Sequence, residues 1–227
     1  MENQQHLRDL SHQSLLPKAH IAYLQKLKDG GFEPKVIYDI GACVLHWTKE
    51  CKRIWPDAEY IIFDAFAPAE FLYIEQNLRY HVGVLSDVDD KEVRFYQNEQ
   101  FPGGNSYYRE IGYKNGSYFP EDKYILKTTR TLDSIVAERG FPLPDLIKMD
   151  VQGAELDILR GATNTHKNAT HMILELQHTD YNQGAPKANE CIPIIESFGW
   201  KCIAPLFQNN GNDGDYGFVR LDNNQDS

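Results

Sequence analysis

The sequence predicts an α/β fold in which helices cover both faces of a mostly parallel sheet. Apolar, strand-like segments alternate with segments whose apolar residues recur at helical spacing, and this alternation is typical of parallel sheets. Three predicted strands end in an aspartate, at Asp39, Asp64 and Asp150. Because ligands of such sheets bind beyond the carboxyl ends of the strands, we expect these acids to share one rim.

The composition is that of a single globular domain. The chain has 227 residues, of which 41% are hydrophobic and 25% are charged. Its net charge of −10 argues against a nucleic-acid or anionic-membrane partner. The four cysteines form no C-x-x-C pair, and no apolar leader or membrane-length segment is present. We therefore expect a soluble, cytoplasmic protein with reduced cysteines, whose oligomeric state the sequence leaves open.

The first half of the chain begins with a polar segment, residues 1–16, which we expect to be loosely held. Pro17 favours the start of a helix, which ends at Gly30. The apolar run at 36–40 predicts a buried strand, and a helical pattern resumes at Leu45. Further strands are predicted at 59–64, 79–85, 92–96 and 124–129, with helices after Pro68 and Thr131.

The second half repeats the pattern of strand, turn and helix. Strands are predicted at 146–150, 171–176, 200–204 and 216–221, with helices after Gly153 and before Gly199. Residues 97–123 differ from the rest because they are rich in proline, glycine and aromatic residues. An insert of this length in a compact domain is usually functional or disordered.

The first strand and its turn indicate a cofactor site. Gly41 follows Asp39 and permits close approach of a ligand to the main chain. Asp64, at the tip of the second strand, can accept hydrogen bonds from both ribose hydroxyls of a nucleoside. The G-x-G-x-x-G motif, which binds the pyrophosphate of a dinucleotide, is absent after Gly41. A nucleoside-like cofactor without phosphates therefore fits this loop better than a dinucleotide does, and S-adenosylmethionine is the leading candidate. The alternative is an ordinary strand-turn-helix with a structural glycine and no cofactor.

Several motifs resemble the FkbM-type S-adenosylmethionine-dependent methyltransferases. The matching segments are 39–42, the acid at Asp64, 147–155, 159–162 and 173–175. The resemblance implies a class I methyltransferase (Rossmann-like) fold, a mostly parallel seven-stranded sheet with one antiparallel strand and a final hairpin of 200–206 and 215–221. The resemblance covers roughly residues 35–200. We expect a single domain overall, with an N-terminal helical extension at 1–34 and the methyltransferase domain at 35–227.

The resemblance and the rim together assign the site residues. Where the family shows Asn, a second glycine and Glu, this chain has Cys43, Leu45 and Gln152. Ser86 and Asp87 are placed near the adenine by the resemblance alone. The expected cofactor contacts are Asp39, Gly41, Ala42, Cys43, Thr48, Asp64, Ala65, Ser86, Asp87 and Asp150.

Three residues are candidates for catalysis. Asp150 is placed to act as a base or to orient the acceptor, or merely to cap the following helix. Glu175 lies within an apolar strand and therefore needs a partner. His178 follows that strand and is either a base or a surface residue. Glu155 is either part of the site or a first-turn acid of its helix. We assign no metal, because no ligand spacing requires one.

The insert suggests the acceptor. Aromatic faces beside the short polar side chains of Asn105 and Ser106, with Tyr107 and Tyr108 next to them, suit a sugar. We therefore expect O-methylation of a sugar hydroxyl in a glycan or nucleotide-sugar, although a structural flap or oligomer contact would also explain the tyrosines. The alternatives are a polyketide-type hydroxyl, a degenerate non-catalytic binding module and, in another class, a nicotinamide-dependent oxidoreductase.

Overall fold

The computed structural model describes residues 2–13, 16–112 and 116–221. The strands are β1 (Val36–Ile40), β2 (Glu59–Asp64), β3 (Arg79–Val82), β4 (Val84–Leu85), β5 (Glu92–Phe95), β6 (Ile125–Arg130), β7 (Leu146–Met149), β8 (His171–Gln177), β9 (Trp200–Asn209) and β10 (Asp213–Arg220). The helices are α1 (Glu2–Ser11), α2 (Lys18–Asp29), α3 (His46–Ile54), α4 (Glu70–Glu75), α5 (Leu132–Arg139), α6 (Glu155–Arg160), α7 (Thr165–Asn168) and α8 (Ala188–Ser197).

Seven strands form the central sheet in the order β3-β2-β1-β7-β8-β10-β9. The pairs from β3 to β8 are parallel, whereas β10 runs antiparallel to both of its neighbours, β8 and β9. This arrangement confirms the predicted mostly parallel seven-stranded sheet with one antiparallel strand. It also brings the carboxyl ends of β1, β2 and β7 to one edge.

The core lies on both faces of this sheet, as predicted. Neighbouring residues of β1 alternate between two apolar clusters: Ile37 packs with Trp47 and Leu72, and Tyr38 packs with Ile135 and other residues on the opposite face. A strand buried on both faces needs apolar residues at successive positions, which explains its nearly continuous apolar run.

The predicted strand 79–85 is in fact two strands, and the prediction was wrong at Gly83. The chain leaves the central sheet there, and β4 joins β5 and β6 in a separate three-stranded sheet. A side chain at Gly83 would meet the ring of His81, with its Cβ 2.6 Å from Nε2. The glycine therefore permits a sharp change of direction at the edge of the sheet.

The N-terminal segment is also more ordered than its polarity suggested, since residues 2–11 form α1. Leu7 is buried, His46 Nε2 lies 2.6 Å from the carbonyl oxygen of Leu10, and Lys49 Nζ donates to the carbonyl of Ser11 at 2.6 Å. Donors at the C-terminal end of a helix satisfy its free carbonyls. No described helix has the length and apolar character required to cross a membrane.

Candidate active site

The loop after β1 packs directly on the end of β7. Gly41 has a φ of +79°, and a Cβ built on it would lie 1.8 Å from the carbonyl oxygen of Asp150. The neighbouring backbone therefore requires a glycine here, in addition to the ligand approach expected at Gly41, which lines both pockets beside it. Cys43 and Leu45 also adopt positive φ, 48° and 70°. Asn and glycine tolerate this backbone region well, which explains their preference at these two positions.

Asp64 lies at the tip of β2, as expected, and holds the loop around it. Its two carboxylate oxygens accept the backbone N–H of Cys43 at 2.6 Å and of Phe66 at 2.7 Å. Each oxygen retains further accepting capacity for a ribose hydroxyl. Burial raises the pKa of Asp64, and these two hydrogen bonds oppose the rise.

Asp39 is fully buried and forms the centre of a polar network below the rim. Thr48 Oγ1 donates to its Oδ2 at 2.5 Å, and Lys148 Nζ lies 3.3 Å from its Oδ1. Thr48 is itself fully buried, so the structure places both of these predicted contact residues beneath the site.

Lys148 is the functional residue that the sequence reasoning missed. Its ammonium lies 3.3 Å from Asp39, 3.5 Å from Asp150 Oδ2 and 3.3 Å from the carbonyl oxygen of Gly41. Burial alone would lower the pKa of Lys148, but the charges of Asp39 and Asp150 outweigh it and raise the pKa. A lysine inside an otherwise apolar strand was the available signal, because a buried ammonium requires partners.

Asp150 and Glu175 form a carboxyl pair bridged by Gln152. Gln152 Nε2 donates to Asp150 Oδ1 at 3.1 Å and to Glu175 Oε2 at 2.6 Å. Burial and the charge of Asp150 raise the pKa of Glu175 well above its ordinary value. Burial also acts to raise the pKa of Asp150, but Lys148 and the hydrogen bonds from Glu175 and Gln152 lower it. The two neighbouring carboxyl groups therefore have pKa values shifted in opposite directions, and the ionised form is favoured at Asp150.

Glu155, at the start of α6, has a role within its own loop. Its Oε1 accepts the backbone N–H of Val151 at 2.9 Å and its Oε2 that of Gly153 at 3.1 Å. Burial raises the pKa of Glu155 to about 8, although these hydrogen bonds oppose the rise. It therefore fixes the turn that presents Gln152.

A first chamber of about 640 Å³ opens at the rim. Its lining combines the polar residues Asp64, Asn105 and Ser106 with apolar side chains such as Val84 and Leu85. A carboxylate beside an apolar slot fits a nucleoside. The full lining is Ile40, Gly41, Cys43, Phe63, Asp64, Ala65, Gly83, Val84, Leu85, Phe95, Pro102, Gly103, Asn105, Ser106, Tyr107, Asp150, Val151, Gln152, Ala154 and Ile158.

A second chamber of about 1100 Å³ adjoins the first. The two chambers share Gly41, Cys43, Pro102, Gly103 and Asp150, so Asp150 stands at their junction. The lining of the second chamber consists of Leu10, Leu16, Pro17, His20, Gly41, Ala42, Cys43, Val44, His46, Trp47, Gln100, Phe101, Pro102, Gly103, Lys148, Asp150, Glu175, Asn210 and Asp215.

Six predicted site residues lie outside these two linings: Asp39 and Thr48, which are buried beneath the site, and His178, Ser86, Asp87 and Tyr108. His178 Nε2 is 2.9 Å from the hydroxyl of Tyr216, a contact that ties β8 to β10. Ser86 Oγ donates to Asp87 at 3.1 Å, and both residues follow directly on Leu85 of the first chamber. The hydroxyl of Tyr108 donates to Asp157 at 2.7 Å.

The insert covers both chambers through its middle part. Phe101 reaches the second chamber, whereas Asn105, Ser106 and Tyr107 line the first. The expected acceptor contacts therefore lie mostly on the cofactor side. Tyr113, also counted among the aromatic residues of the insert, lies outside the described residues. The described part of the chain contains no group of three or more His, Cys, Asp or Glu side chains arranged to hold a metal ion.

The sheet order, the acid at Asp64 and the chamber beside it define a class I S-adenosylmethionine-dependent methyltransferase. A family model described as the methyltransferase FkbM domain matches residues 39–202, which is most of the chain. The protein therefore belongs to the FkbM methyltransferase family.

Solved structures support the fold. Cofactor-bound Rv0187 from MTB aligns with a TM-score of 0.54 at 9% identity, covering 97% of this chain and 88% of that one. The O-methyltransferase TomG from Streptomyces achromogenes, solved with SAM, aligns with a TM-score of 0.51 at 11% identity, covering 97% and 87%. At such low identity these similarities establish the fold alone. No curated protein matched the chain by sequence.

Proposed function

We propose that the protein methylates a hydroxyl of a sugar residue, in a glycan or a nucleotide-sugar. The observation that carries this proposal is the second chamber, which meets the first at Asp150. It combines hydrogen-bonding side chains such as Glu175 and Asn210 with the apolar faces of Phe101 and Trp47. A sugar presents the same mixture of hydroxyl groups and apolar ring faces.

Bound S-adenosylmethionine supplies an electrophilic methyl group on its sulfonium. The protein must align the acceptor oxygen and remove its proton. Asp150 exposes 36% of its side chain at the junction and is held ionised by Lys148. We assign to its carboxylate the hydrogen bond from the acceptor hydroxyl and the removal of the proton, with Glu175 and Gln152 holding it in place.

The two candidate acceptors, an uncharged glycan and a nucleotide-sugar with its phosphates, differ in charge. The second chamber is lined by the carboxylates of Asp150 and Asp215, and the ammonium of Lys148 is already engaged by Asp39 and Asp150. A phosphate placed there would face carboxylates without an unengaged lysine of its own. This favours an uncharged glycan hydroxyl over a nucleotide-sugar.

The experiment is a panel of acceptors with cofactor that carries a labelled methyl group. The panel contains methyl glycosides, oligosaccharides, nucleotide-sugars, macrolide alcohols, amines and proteins. We expect the label on an oxygen of a sugar, with uncharged glycosides preferred over nucleotide-sugars. Label found only on amines or proteins would contradict the proposal, and label only on macrolide alcohols would favour the polyketide-type alternative.

A further inference from the structure

The far wall of the second chamber is built by residues outside the part of the chain that matches the family model. Residues 39–202 match that model, whereas His20 and Asp215 line the chamber from α2 and β10. Leu10, Leu16 and Pro17 extend the same wall. This wall is therefore a feature of this chain in addition to the family's shared motifs.

A buried hydrogen-bond chain fixes that wall. The indole Nε1 of Trp47 donates to His20 Nε2 at 2.7 Å, and His20 Nδ1 lies 3.0 Å from Asp215 Oδ2. An indole can only donate, so Nε2 of the imidazole must be the acceptor and Nδ1 must carry the proton. His20 therefore donates to Asp215, and the order of the chain is Trp47, His20, Asp215.

The second oxygen of Asp215 remains available. Among the described residues, the hydrogen bond of the Asp215 side chain is made by Oδ2, and none is made by Oδ1. Asp215 lines the second chamber, and 11% of its side chain is exposed. His20 also packs edge-on against Trp47 and Phe207, so the imidazole has little freedom to turn. A carboxylate that lines a chamber and has one oxygen fixed by a hydrogen bond is a preorganised hydrogen-bond acceptor.

We propose that Asp215 binds a second hydroxyl of the acceptor sugar through Oδ1, and that His20 and Trp47 are the positioning residues that hold it. This inference rests on the proposed function. Asp150 contacts the hydroxyl that is methylated, and Asp215 contacts another, which selects the position methylated. The alternative is that the hydrogen bonds of Trp47, His20 and Asp215 serve only to hold α2 against β10. In that case, their loss would affect folding and leave acceptor recognition unchanged.

The first variant is Asp215→Asn, whose amide oxygen can still accept the hydrogen bond from His20. We expect the KM for the glycoside acceptor to rise about tenfold or more, because a hydrogen bond to a charged group is lost. The kcat should stay within about threefold, and the affinity for S-adenosylhomocysteine and the Tm should be unchanged. Asp57→Asn, at an exposed aspartate, is the matched control.

Variants of His20 test the positioning role. His20→Gln can accept from Trp47 and donate to Asp215, so we expect it to retain most of the acceptor affinity. His20→Leu can do neither and should raise the KM as Asp215→Asn does. An unchanged KM in Asp215→Asn, or a parallel loss of Tm and all kinetic parameters in both Asp215→Asn and His20→Leu, would overturn the inference.

A binding measurement separates this inference from the proposed function. Methyl glycosides are added to protein saturated with S-adenosylhomocysteine and observed by saturation-transfer NMR. Binding to the wild type that is lost in Asp215→Asn would support the inference even if no glycoside were methylated. Absence of binding to the wild type would overturn it. If the wild type methylates a glycoside and Asp215→Asn methylates it with the same KM, the inference is refuted while the proposed function stands.

Discussion

Lys148 favours the ionised form of Asp150 at the rim. It lies within 3.5 Å of both Asp39 and Asp150 and lowers the pKa of Asp150, while burial and the charge of Asp150 raise that of Glu175. Two neighbouring carboxyl groups with pKa values driven apart can divide the tasks of holding and accepting a proton. The side chain of a single strand residue thus sets the chemistry of the junction.

At the same scale, Asp64→Ala tests the placement of the ribose. We expect the affinity for S-adenosylhomocysteine to fall by about 1.5–3 kcal/mol, roughly ten- to 150-fold, because hydrogen bonds to a carboxylate are lost. Isothermal titration calorimetry measures the change, with Asp57→Ala as the control at an exposed position. Equal affinity in Asp64→Ala and wild type would show that the ribose lies elsewhere.

The site residues that could be predicted from the sequence are those marked by a pattern of neighbouring residues. Asp64 and Asp150 stand at the ends of apolar strands that the structure brings to one edge of the sheet. Asp39 lies one residue before the end of its strand and is buried below that edge. The role of Asp215 was invisible in the sequence, because it depends on contacts with His20, 195 positions away. Long-range pairs of this kind are set by tertiary packing, which no local pattern encodes.

At the scale of the elements, the insert is anchored to the core through tyrosine hydroxyls. Tyr107 and Tyr108 both donate to Asp157 Oδ2 of α6, at 3.0 and 2.7 Å. Since Tyr107 also lines the first chamber, alanine at both positions should affect the cofactor as well as the acceptor. The sequence predicted the position of the insert and its aromatic character, but the direction of each ring depends on where Asp157 lies.

Helix α7 supplies a prediction on pH. His166 is buried, and its Nδ1 lies 3.3 Å from Trp200 Nε1 and 3.2 Å from a guanidinium nitrogen of Arg220. Burial and the charge of Arg220 lower its pKa from 6.5 to about 4. Between these values the unfolded chain binds the proton and the native state does not, so stability must fall as the pH falls.

We expect His166 to contribute a loss of about 2 kcal/mol in the free energy of unfolding between pH 7 and pH 5. Urea denaturation at the two pH values measures the total loss, to which other buried histidines also contribute. His166→Asn, which keeps an acceptor near the Nδ1 position but does not titrate, isolates this contribution. The same loss in the variant and in the wild type would rule out His166 as its source.

At the scale of the whole molecule, two chambers meet at the carboxylate of Asp150. The sheet order brings the ends of β1, β2 and β7 together, and the helical N-terminal segment and the final hairpin close the second chamber. The alternation of strands and helices made the sheet predictable. The contribution of Leu10, Leu16, Pro17 and His20 to a chamber was not predictable, because a polar, weakly periodic segment gives little indication of where it docks.

In the reaction we propose, Asp150 acts on the acceptor at the junction of the two chambers. The measurement is the kcat of Asp150→Asn with the glycoside acceptor, compared with its affinity for S-adenosylhomocysteine, with Asp57→Asn as the control. We predict that kcat falls by about a hundredfold or more while the affinity stays within about threefold. Unchanged turnover, or an equal loss of turnover and cofactor affinity, would contradict this account.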